Sequence, residues 1–103
     1  MNGDPTMAKG YWVAHVDIDD METYKSYIAA NAAPFAEFGA RFLVRGGTRT
    51  VCEGEARART VVIEFDSYAT ALTCYNSVAY RQAKALRDPV STGDMVIIEG
   101  YDG

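Results

Sequence analysis

Histidine and tryptophan each occur once in this chain of 103 residues and cysteine twice, and each scarcity closes off a class of chemistry. One histidine, His15, cannot build a multi-histidine zinc cage or an H-E-x-x-H helix, so no metal is expected. Cys52 and Cys74 form neither a C-x-x-C pair nor a framework of four or more, and nothing in a domain able to build its own core demands a disulfide. Ten basic residues against 14 acidic ones leave a net charge of −4, without the basic surplus that nucleic-acid phosphates or an anionic membrane surface would require. No apolar run approaches the roughly 20 residues of a membrane-spanning helix. No basic-then-apolar leader opens the chain, so the cytoplasm is the expected compartment. Gly46-Gly47 is not followed by a helix and is no phosphate loop. Ser26, Ser67, Ser77 and Ser91 lie in helical or capping contexts, outside any G-x-S-x-G elbow. No cofactor is expected.

What the chain does have is a hydrophobic content of 49%, enough for one core that removes roughly 65% of the unfolded surface from water. Residues 1–9 are polar and aperiodic and read as a flexible tail, with Met7 an alternative start; residues 10–103 read as a single domain. Strict alternation from Tyr11 to Ile18 marks a strand. Asp19 followed by Glu22 is a capping-box variant. The apolar steps Met21, Tyr24, Ile28, Phe35 and Phe38 then trace a helix face that Pro34 kinks or restarts and Gly39 stops. Residues 41–45 read as a second strand, Gly46-Gly47 as a turn, and Thr48 to Cys52 as a further hairpin arm. Thr60 to Phe65 is a strand, Ser67 and Ser77 each cap a helical segment, Asp88-Pro89 ends the second, and Met95 to Glu99 closes the chain as a strand.

This order is the α+β, ferredoxin-like βαββαβ arrangement, an antiparallel sheet with its helices on one face. Alternation assigns Trp12, Ala14, Val16, Ile18, Phe42, Val44, Val61, Ile63, Phe65, Val96 and Ile98 to the helix side. The opposite face then carries Tyr11, Val13, His15, Leu43, Arg45, Val62, Glu64, Met95, Ile97, Glu99 and Tyr101. That face is too apolar to stand in water, and a two-fold homodimer closing two such faces on each other is the expected assembly.

Several segments in this order carry a family resemblance. They include Gly10 to Asp17, Tyr24-Lys25-Ser26-Tyr27, Phe42 to Gly47, Val61 to Phe65, Cys74 to Ser77, Tyr80 and Ile97 to Gly100. Together they span Ala8 to Gly100 and resemble the domain-of-unknown-function 1330 family, with Asp66 standing where a proline is expected before the Ser67 cap. The resemblance implies a dimeric α/β barrel of ferredoxin-like subunits and no particular activity.

On the mixed face, His15 and Glu64 fall on neighbouring strands, and a carboxylate beside an imidazole is the arrangement a general base requires. They are the candidate catalytic pair, against the plainer reading that they satisfy each other inside an interface. Arg45 is the candidate anion clamp, with Glu99 on the same side and Tyr11 and Tyr101 lining the pocket. Arg41, Arg49, Arg57 and Arg59 read as a solvated edge, and Tyr24, Tyr75 and Tyr80 as core packing. Cys74 reads as a buried, inert thiol, and Asp17, Asp19 and Asp20 as helix-start acids that need no metal. The function these residues suggest is cofactor-independent catalysis on a small anionic or aromatic molecule at the sheet face. A non-catalytic small-molecule binder and a structural dimer without a pocket stay open beside it.

Overall fold

The computed structural model describes residues 8–101. Its order is β1 (Gly10–Ile18), α1 (Met21–Glu37), β2 (Arg41–Arg45), β3 (Arg59–Phe65), α2 (Tyr68–Asn76), α3 (Val78–Arg87), a short 3-10 turn (Asp88–Val90) and β4 (Ser91–Glu99). The four strands form one antiparallel sheet in the order β2-β3-β1-β4, the ferredoxin-like order expected. Residues 1–7 of the expected tail lie outside the described residues, but Ala8 is buried and the Lys9 carbonyl accepts from Gly100 N–H at 2.7 Å, so these two belong to the fold.

Local chemistry sets the element ends. Ser67 accepts from Thr70 N–H at 3.0 Å and Ser77 from Tyr80 N–H at 3.1 Å, so each serine caps the helix it precedes. The cap of α1 is Asp20 rather than Asp19, accepting from Thr23 N–H at 3.2 Å and from the Thr23 hydroxyl at 2.8 Å. Pro34 lies inside α1, which runs on to Glu37 before Gly39, at φ 69°, turns the chain into β2. The expected hairpin arm at Thr48 to Cys52 does not form. After Gly46 and Gly47 (φ 75° and 98°) the segment runs exposed without a facing strand, held by Arg49, which donates to the Thr60 hydroxyl and the Ala56 carbonyl.

Strand register corrects the faces at both edges of the sheet. Phe42 pairs with Ile63 but Val44 pairs with Val62, so Leu43 is an extra residue bulging from β2. The bulge swaps the parity beyond it: Val44 moves to the open face and Arg45, opposite Val61, to the helix face. In β4, Ile97 pairs with Trp12 and Met95 with Ala14, which puts Met95, Ile97 and Glu99 on the helix face. Val96 and Ile98 therefore occupy the open face, 58% and 52% exposed. The open face still carries the apolar patch expected of it, now made of Val13, Val44, Val62, Val96 and Ile98.

The core lies between the sheet and the helices. Trp12 is its hub, with Phe35, Phe65, Tyr75 and Tyr80 at ring-centroid distances of 4.9–5.8 Å, and its indole N–H donates to the Ala71 carbonyl at 2.9 Å. Cys74, on the inner side of α2, is fully buried, and burial pushes its thiol up to about 12, so it is inert as expected.

Candidate functional site

The helices do not close completely over the sheet. A cleft of about 660 Å³ remains between them, within the range of small-molecule sites. Trp12 and Phe35 form part of its lining, Phe42 and Tyr75 add aromatic wall, and Leu72 and Ile97 add aliphatic wall. Helical spacing brings Tyr24, Tyr27 and Asn31 from α1 to this space, and Tyr80, Lys84 and Arg87 from α3. Asn31 is the one buried polar side chain among the described residues.

The polar groups of the cleft form a connected set. The hydroxyls of Tyr27 and Tyr80 are 2.8 Å apart, Arg87 donates to the Tyr80 oxygen at 3.4 Å, and its guanidinium lies 5.4 Å from the Tyr27 ring centre. Burial pushes the Tyr80 phenol far above its ordinary range, so at neutral pH it stays a hydrogen-bond donor. Burial also raises Tyr24, while Arg87, Arg59 and Arg45 pull it the other way. Arg45 and Arg59 enter from β2 and β3. The cleft is thus largely aromatic, and its lining carries four basic side chains, Arg45, Arg59, Lys84 and Arg87, against the two acidic ones of Asp88 and Asp94.

The open face holds a different arrangement from the one expected. His15 and Glu64 do share this face on neighbouring strands, but the register sets Thr60 opposite His15 and Tyr11 opposite Glu64. Four residues of strand, roughly 13 Å, separate the two levels. His15 Nδ1 contacts the Thr60 hydroxyl at 3.1 Å. Glu64 accepts from Arg41 at 2.9 Å and from the Tyr11 hydroxyl at 3.0 Å, and Arg41, then Tyr11, hold its carboxyl below the usual range. The structure therefore gives His15 no carboxylate orienter in Glu64.

A hollow of about 370 Å³ does lie beside His15, but it is polar and lined by Asp17, Glu55, Arg57 and Asp94. Arg57 bridges Asp17 and Asp94 at 2.9 Å each. The Ala58 N–H and then Arg57 keep the Asp17 carboxyl low, and these bonds tie β1 to the segment leading into β3. Of the remaining candidates, Tyr11 is tied to Glu64, Glu99 faces the helix side, and Tyr101 follows β4 at 96% exposure and lines neither space. Only Arg45 joins the cleft, from the face opposite to the one expected.

The residues that sequence reasoning passed over are Tyr24, Tyr27, Tyr80, Arg59 and Arg87. A usable signal was present: tyrosines instead of phenylalanines at core positions carry hydroxyls that need partners, and basic side chains on neighbouring elements can supply them.

Comparison with known proteins places this geometry. The family model described as Domain of unknown function (DUF1330) matches residues 9–101. The chain belongs to this family. No curated protein matches the sequence. Among solved structures, this DUF1330 chain is similar to a protein of unknown function from Rhodopseudomonas palustris, with a TM-score of 0.74 and 14% identity over 94% of this chain and 85% of that one. It is also similar to SnoaB, a cofactor-independent oxygenase from Streptomyces nogalater, with a TM-score of 0.62 and 12% identity over 93% and 96% of the two chains. A dimeric ferredoxin-like protein of unknown function from Thermobifida fusca aligns with a TM-score of 0.57 and 16% identity over 89% of each chain. At such identities the likeness of this DUF1330 member to its neighbours is one of fold.

Proposed function

We propose that this chain is a small cofactor-independent enzyme whose substrate is a flat aromatic molecule bound in the helix-face cleft. The observation that carries the reading is the cleft itself, about 660 Å³, rich in aromatic side chains and supplied with phenol and guanidinium donors. Donors fixed in a low-dielectric cavity stabilise negative charge that develops on a ring oxygen or a conjugated enolate. Tyr80 with Arg87 behind it is the pair to do this, since Arg87 polarises the Tyr80 hydroxyl. The likeness in fold to a cofactor-independent oxygenase supports the reading by analogy alone.

Trp12 is the only tryptophan in the chain and lines the cleft, so its emission reports occupancy. Phenylbutyrate absorbs little light at the red edge of indole excitation and serves as a probe. We expect a saturable change in Trp12 emission that fits one site per chain and is weakened at least about tenfold by Leu72→Glu, a charge on the apolar wall worth 1.4 kcal/mol or more. Unaltered emission up to millimolar concentrations of phenylbutyrate, of its alcohol phenylbutanol and of phenethyl phosphate would overturn the reading.

The proposed assembly is a homodimer closed through the open face. Val96 and Ile98, more than half exposed and flanked by Val13 and Val62, form an apolar patch that water penalises. Light scattering at micromolar concentration should give twice the 11.3 kDa chain mass, and Val96→Glu combined with Ile98→Glu should return it to the single-chain value. A wild-type monomer would refute the assembly and leave the cleft, which lies on the other face, untouched.

A further inference from the structure

We infer that Arg45 and Arg59 form a two-arginine clamp for a carboxylate, so that the substrate is an aromatic carboxylic acid held by its acid group in the cleft. This rests on the cleft reading above and specifies its substrate class.

Other arginines of the described residues have partners. Arg41 is bonded to Glu64 and Asp66, Arg57 to Asp17 and Asp94, and Arg87 to Asp88. Arg49 donates to Thr60 and Ala56, and Arg81 to Asn76. Among the described residues neither Arg45 nor Arg59 has a carboxylate partner, although both line the cleft. Arg59 Nε is buried and has no hydrogen-bond partner among the described residues. A buried charged donor left without an acceptor costs free energy that an incoming anion would recover.

The sheet places the two arginines on neighbouring strands and on the same face. Arg45 pairs with Val61, and Arg59 lies two residues further along β3 on the same face, so the two are diagonal neighbours. Arg59 Nη1 reaches the turn after Arg45, 3.1 Å from where a Cβ on Gly46 would stand. The guanidinium carbon of Arg45, a solvent-exposed residue at the end of β2, lies over the Phe42 ring, 4.0 Å from its centre. This cation–π contact restrains the Arg45 side chain, and a guanidinium can grip both oxygens of a carboxylate through paired N–H groups. Two like charges on adjacent strands repel, and an anion between them turns that repulsion into attraction. The bulge at Leu43 is what makes the clamp, because without it Arg45 would point to the opposite face.

The test compares phenylbutyrate, phenylbutanol and phenethyl phosphate as ligands of the full chain, read by Trp12 emission. The wild type should bind phenylbutyrate at least about tenfold more tightly than phenylbutanol, the minimum for a charge-assisted pair of hydrogen bonds. Arg59→Gln should erase that preference while leaving phenylbutanol affinity within about twofold, and Arg45→Gln should do the same independently. Circular dichroism melts confirm that each variant is folded, and the second variant decides the matter if the first is not. Equal affinity of the acid and the alcohol in the wild type, or a preference that survives both substitutions, overturns the clamp alone. A phosphate monoester preferred tenfold over the acid overturns the carboxylate assignment. No binding of any of the three compounds sinks the aromatic-cleft reading and the clamp together.

Discussion

Trp12→Ala should cost about 4 kcal/mol of stability, because the change removes the side chain on which four aromatic rings converge. Trp12 is 2% exposed, and Phe35, Phe65, Tyr75 and Tyr80 all pack on it from α1, β3, α2 and α3. Truncation leaves a cavity touching every layer and deprives the Ala71 carbonyl of the indole donor. A domain of this size has a total stability of only about 5–15 kcal/mol, so the variant should be near or past its unfolding midpoint at 37 °C. The expected drop in Tm is roughly 15–30 °C. Trp12→Phe keeps a ring in the hub and should cost less than half as much. Urea unfolding followed by circular dichroism is the measurement, since the variants have lost their only tryptophan. Protein concentration must be matched across samples, because dimer formation would make the midpoint concentration-dependent. A loss for Trp12→Ala below about 1.5 kcal/mol would mean that the rings repack without it and that Trp12 is not the hub.

The central strands are readable from alternation because each has one face that is apolar through its centre and one face interrupted by polar residues. Trp12, Ala14 and Val16 alternate with His15 and Asp17 in β1, and Ile63 and Phe65 alternate with Glu64 in β3, so only one assignment buries the apolar set. The edge strands lack that asymmetry. In Met95-Val96-Ile97-Ile98 both parities are apolar, and the pairing of Ile97 with Trp12 decides between them. In β2 the bulge at Leu43 is announced by no glycine or proline, yet it moves Arg45 across the sheet.

Alternation also gives a face without giving a level along the strand. Alternation sets His15 and Glu64 on one side of the sheet, but antiparallel register puts Thr60 and Tyr11 opposite them. The cleft was the least legible feature. Core tyrosines on α1 and α3 obey the same periodicity whether they pack tightly or leave a gap, and only tertiary geometry separates the two cases. Arg59, read as part of a solvated edge, sits at a helix-face position whose meaning depends on the turn folding back over it.

Gly10→Ala should destabilise the fold by about 3 kcal/mol, for a reason unrelated to backbone conformation. Gly10 opens β1 between Phe65 and Glu99 and lies directly beneath the start of α2. A Cβ at this position would meet the Ser67 carbonyl oxygen, come within 2.5 Å of the Ser67 carbonyl carbon and lie 2.6 Å from Tyr68 Cα. All three are backbone atoms, so no rotamer change relieves the clash, and overpacking of this kind costs about 1–3 kcal/mol or more. The junction cannot slide freely. The Ser67 side chain is engaged with Thr70 in capping α2, and Phe65 and Ala71 on either side are fully buried. Gly47→Ala is the control. Its φ is 98° and a Cβ would meet nothing within 4 Å, so its cost is the left-handed backbone penalty alone, about 1 kcal/mol. Parallel urea titrations should therefore rank Gly10→Ala well below Gly47→Ala in midpoint. Lifting α2 would also displace Leu72 and Tyr75, so Gly10→Ala should weaken phenylbutyrate binding under conditions where the variant is still folded. Equal losses for the two substitutions would show that α2 rides up over the added methyl without strain and that its seat on β1 is not fixed by Gly10.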